Sequence, residues 1–123
     1  MNTHETYVSL ETAKLLKQAG FDWECNRFYD CTNSDCVRYE EYPAPTLDVA
    51  QRWLREVKGM CLTIQPLFDK VNEQFNVVVG FTPFIHRMDG EMIIASLDNE
   101  HSYEKAQEAG IKKCLTLILE DKQ

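Results

Sequence analysis

The chain has 123 residues, 44% of them hydrophobic and 27% charged, and its 20 acidic side chains against 13 basic ones give a formal net charge of −7. That length predicts one ordinary domain over residues 1–123, able to build a core without metal or disulfide staples. The acidic balance argues against non-specific adhesion to nucleic acid or anionic membrane, because phosphate contacts are made by Lys and Arg, and leaves room for a local basic patch.

No apolar run reaches the roughly 18–20 residues of a membrane span. Met1 to Tyr7 are polar and carry Glu5 where a leader would be basic and then apolar. A cytoplasmic protein with no membrane association is expected. Five cysteines, Cys25, Cys31, Cys36, Cys61 and Cys114, are an odd number in such a chain and read as reduced thiols.

In chain order, Ser9 caps a first predicted helix from Leu10 to Ala19, with Glu11 in its first turn and Gly20 beyond its end. Leu15, Leu16 and Ala19 form its packing side. The runs Cys25 to Cys31 and Cys36 to Tyr42 flank the turn-type cluster Thr32-Asn33-Ser34-Asp35 and predict a hairpin. Tyr42-Pro43-Ala44-Pro45 then ends the sheet and leads into the best-specified element, a helix from Thr46 to Lys58.

Pro45 keeps Ala44 extended, Thr46 caps the free N–H groups, and Gly59 is placed for the left-handed C′ position. Leu47, Ala50, Trp53, Leu54 and Val57 fall within an arc of roughly 120°, and Asp48, Gln51, Arg52, Arg55 and Lys58 fill the other side. That helix requires a sheet to lie on. Met60 to Gln65 and Phe75 to Phe81 alternate apolar and polar residues and predict two half-buried strands. Gly80 and Pro83 mark a bend or bulge, and Asp89-Gly90 is a hairpin turn into a third strand, Met92 to Leu97.

A last helix is predicted from a Ser102 cap to about Leu119, with Tyr103, Ala106, Gly110, Cys114, Leu117 and Ile118 on one stripe. Leu115 and Leu119 widen its apolar surface, toward the first helix or toward a second subunit in a homodimer. The order αββαβββα predicts an α+β fold, an antiparallel β-meander with helices packed mainly on one face.

Chemistry is thinly marked. The glycines all have structural uses as caps, bend, turn or close contact, and no Walker, Rossmann, HExxH or GxSxG pattern occurs. No catalytic residue, cofactor or metal is therefore expected. Cys25, Cys31 and Cys36 lack the CxxC spacing of a zinc knuckle, so ordinary strand or core thiols outweigh a zinc site. A cysteine nucleophile with His86 or His101 has nothing in the sequence to bring thiol and base together.

Two candidate binding surfaces remain. Leu67, Phe68, Phe84 and Ile85, read as apolar loop residues, either form a surface for a protein partner, tested at Phe68 and Phe84, or simply cap the core, the two readings having equal weight. Arg52, Arg55 and Lys58 form a basic stripe, joined by Lys112 and Lys113 on the last helix, whose bland reading is a solvated face paired with Asp48 and Glu56. The stripe gains interest because Thr46 to Leu119 runs helix, three strands, helix, the layout of double-stranded-RNA-binding domains. Those domains open their last helix with a basic cluster, and here Ser102-Tyr103-Glu104-Lys105 stands instead.

The stretches Tyr7-Val8-Ser9-Leu10-Glu11-Thr12-Ala13-Lys14-Leu15-Leu16, Ala44-Pro45-Thr46 with Ala50-Gln51-Arg52-Trp53-Leu54-Arg55-Glu56-Val57-Lys58-Gly59, and Tyr103-Glu104-Lys105-Ala106 with Glu108-Ala109-Gly110-Ile111 resemble small uncharacterised proteins of Bacteroidales phages and prophages. The resemblance covers most of the chain. It implies a phage or mobile-element accessory protein in a bacterial cytoplasm and carries no activity, substrate or catalytic residue.

Overall fold

A computed structural model describes residues 6–30, 41–70, 76–87, 90, 92–94 and 100–121. The elements among them are α1 (Leu10–Gln18), β1 (Phe28–Asp30), β2 (Glu41–Pro43), α2 (Leu47–Lys58), β3 (Met60–Lys70), β4 (Asn76–Arg87), β5 (Met92–Ile94) and α3 (Tyr103–Asp121). The fold is α+β, in the predicted order.

Capping chemistry sets the helix ends. Extended Ser9 and Thr46 accept from the N–H groups of Thr12 and Val49, at 3.3 and 3.2 Å, and Ser102 Oγ accepts from Lys105 N–H at 3.1 Å. Gly20 (φ 95°) and Gly59 (φ 69°) end α1 and α2 in the left-handed region that glycine enters without a Cβ clash. Along α2, Leu47, Ala50, Trp53 and Leu54 are buried as the periodicity requires. Val57 departs from it: burial ends with the Trp53 turn, and Val57 in the last turn is 49% exposed.

The strands form two sheets rather than one continuous meander. β3, β4 and β5 make an antiparallel sheet in that order, and β1 and β2 make a separate ribbon in which Tyr29 lies opposite Tyr42. The described ribbon strands are three residues each, and the Thr32–Asp35 turn lies outside the described residues. Side chains tie this ribbon to the α1 region: Tyr29 OH donates to Val8 C=O at 2.7 Å, and Lys17 Nζ to Glu41 C=O at 3.1 Å. The segment before α1 also meets the start of α2, with Val8 N–H on Pro45 C=O and Leu47 N–H on Thr6 C=O.

β3 and β4 are longer than predicted. Leu67, Phe68, Phe84 and Ile85 lie within strands, not loops, and Ile85 is fully buried. Pro83 does not break the β3–β4 register; it sits in β4 opposite Ile64. Phe81, two residues earlier, turns both its N–H and its C=O to Glu100, away from β3. Strand alternation gives Pro83 the same orientation, so its missing N–H removes no bond from the β3–β4 ladder. The β3–β4 register shifts at Leu67/Phe68, where Val79 is the extra residue beside Gly80, and the β4–β5 register shifts at Ile85/His86.

Met60, Leu62 and Ile85 line the sheet face toward α2 and α3, and their core continues through Trp53, Leu54, Ile111, Cys114 and Leu115 to Leu16 of α1. Trp53 is 1% exposed, with Phe21 edge-on at 5.3 Å between ring centres. Gly110 lets α3 approach closely: a Cβ there would collide with Leu62 and stand 3.1 Å from Pro83 Cβ. Leu115 is fully buried, and half-buried Leu119 packs against this core.

Candidate functional site

The cations of α2 are held by neighbours. Arg52 Nε lies 2.6 Å from Glu56 Oε2, and Arg55 Nη2 reaches the same oxygen at 3.9 Å. Arg52 also stands over the Trp23 ring at 5.7 Å, and Lys58 over Trp53 at 5.5 Å. Exposed ion pairs contribute only about 0.2–1 kcal/mol each, so they stabilise little, but one carboxylate here offsets part of two guanidinium charges. Lys112 on α3 is paired with Glu11 of α1 at 3.1 Å, away from the α2 stripe.

Asp48 takes another role than the expected pairing with this stripe. The Gln107 amide of α3 donates to Asp48 Oδ1 at 2.8 Å and to Gln51 Oε1 at 2.7 Å, and Gln51 Nε2 donates to Leu62 C=O at 2.8 Å. Gln107 is buried, and this chain of bonds fixes α3, α2 and β3 relative to one another. Periodicity gave no signal for it, because a glutamine counts as polar whichever way it points.

The structure does not bring Phe68 and Phe84 together. Phe84 is half-buried opposite Thr63, five residues before Phe68 along β3, or about 17 Å at strand rise. Alternation also places the two rings on opposite sheet faces. Phe68 instead lies opposite Val78 near the far end of the β3–β4 hairpin, where Phe68 is 62% exposed, Val78 48% and Val79 51%. Sequence alternation marked the valines as strand residues but not the register that sets them beside Phe68.

The described thiols have three different settings. Cys114 is buried, and burial first, then the nearby Cys61, pushes its thiol up to about 12. Cys25 lies 3.4 Å from the Arg27 carbonyl it donates to, and Cys31 and Cys36 lie outside the described residues. Cys61 and His86 occupy directly opposed backbone positions on β3 and β4, a juxtaposition that the sequence did not reveal. No group of three or more His, Cys, Asp or Glu side chains gathers to hold a metal among the described residues.

A half-open cleft of about 210 Å³ at the start of α2 is lined by residues including Tyr7, Glu24, Cys25, Asn26 and Thr46. The first N–H of the helix is already bonded to Thr6 and Glu24 adds negative charge, so the cleft is poorly suited to an anion. No helix among the described residues is long and apolar enough to cross a membrane. Comparisons with protein-family models, curated proteins and solved structures find no match to this chain.

Proposed function

We propose that the chain is a phage- or prophage-type accessory protein of the bacterial cytoplasm, acting without catalysis as a protein-interaction module. The docking surface is the far end of the β3–β4 hairpin. The observation that carries this reading is the exposed apolar group Phe68, Val78 and Val79, whose contact with water is relieved when a partner covers it. An apolar patch on a chain of net charge −7 suits a protein better than a phosphate backbone.

Affinity capture with the wild-type chain and a Phe68→Ser/Val78→Ser variant tests the reading. The wild type recovers a nuclease-resistant protein partner, and the variant, with unchanged circular dichroism, loses it. Equal recovery by both rules this surface out. Capture that disappears with nuclease or with Arg55→Ala assigns binding to the basic face of α2 and nucleic acid instead.

A further inference from the structure

Cys61 and His86 occupy directly opposed positions on β3 and β4. Opposed positions of an antiparallel pair hold their Cβ atoms about 4.5–5.5 Å apart on one face, so a rotamer change brings thiol and imidazole into hydrogen-bond reach. The alternation that sends Met60, Leu62 and Ile85 into the core places this pair on the opposite face of the sheet, with Cys61 still near enough to Cys114 of α3 to act on its thiol. Both residues are half-buried, so a small reagent can reach them.

The other described thiols lack this setting. Cys114 is sealed in the core, where burial disfavours the thiolate that reacts, and Cys25 has its S–H engaged with a carbonyl. We infer that Cys61 is a thiol-modification site, a nucleophile toward low-molecular-weight disulfides with His86 as its proton acceptor. His86 takes the thiol proton, and the Cys61 sulfur attacks one sulfur of the incoming disulfide. A new S–S bond forms as the old one breaks, and the departing half leaves as a thiolate that recovers the proton from the imidazolium. Cys61 is thereby oxidised to the mixed disulfide and the reagent is reduced to one thiol.

The test is exposure of the full chain to oxidised glutathione, with the modification of each cysteine-containing peptide followed in time by mass spectrometry. Cys61 is modified faster than Cys25, and Cys114 stays unmodified. His86→Ala and the size-conserving His86→Gln each slow Cys61 by about tenfold and leave Cys25 unchanged. Cys114 reports the fold in the same sample, since a variant that has opened modifies it. Cys61 reacting no faster than Cys25, or at the wild-type rate in either His86 variant, overturns the inference. Loss of Cys114 protection in both variants also overturns it, because His86 is then a structural residue.

Discussion

Gly110 sets two effects of known size against each other. In an exposed helix, Gly→Ala stabilises by about 1 kcal/mol, because alanine loses less backbone entropy on folding. At this position the added methyl meets Leu62 and Pro83 in a close-packed core, and overpacking costs about 1–3 kcal/mol. Pro83 is a rigid ring in a paired strand, so the packing cost wins. Gly110→Ala therefore loses stability by up to about 2 kcal/mol in chemical denaturation, and a gain means the helix has room to move outward. The close-packing role of Gly110 was legible in the sequence because an internal helical glycine invites that explanation. Buried Gln107 was not, since its role depends on Asp48 and Gln51 arriving from a helix far away in sequence.

At the scale of elements, β3 shows how a free sheet edge is guarded. It is one of the two outer strands of its described sheet, and Gln51 of α2 covers the Leu62 carbonyl on that edge. Alternation points the Ile64 and Pro66 backbones to the same side, and the Phe81 groups opposite Pro66 are occupied by Glu100. Pro66 thus costs the ladder nothing and removes a donor that a second strand would use. Pro66→Val restores that donor and adds a strong strand former. Sedimentation velocity then shows concentration-dependent association beyond that of the wild type, whereas identical behaviour at all concentrations means the edge is guarded by something else. The helices were legible because caps and periodicity are local signals. The lengths of β3 and β4 were not, because a proline reads as a break until its register shows which side its nitrogen faces.

Across the whole molecule, the predicted helix and strand order holds, but the separation of the β1–β2 ribbon from the main sheet was hidden. Hairpin signals predict which strands pair and are silent on which pairs share a sheet. The same limit applies to the binding surface. Phe68 stood out as an apolar residue, yet its companions Val78 and Val79 follow from strand register, and Phe84 belongs to the other face. The two surfaces, apolar hairpin end and basic α2 face, call for partners of different chemistry and are separated by placing a photo-activatable amino acid at position 68 or at position 55 in the producing cells. A protein adduct forms from position 68 and none from position 55. Adducts from position 55 with none from position 68 would contradict binding at the hairpin end.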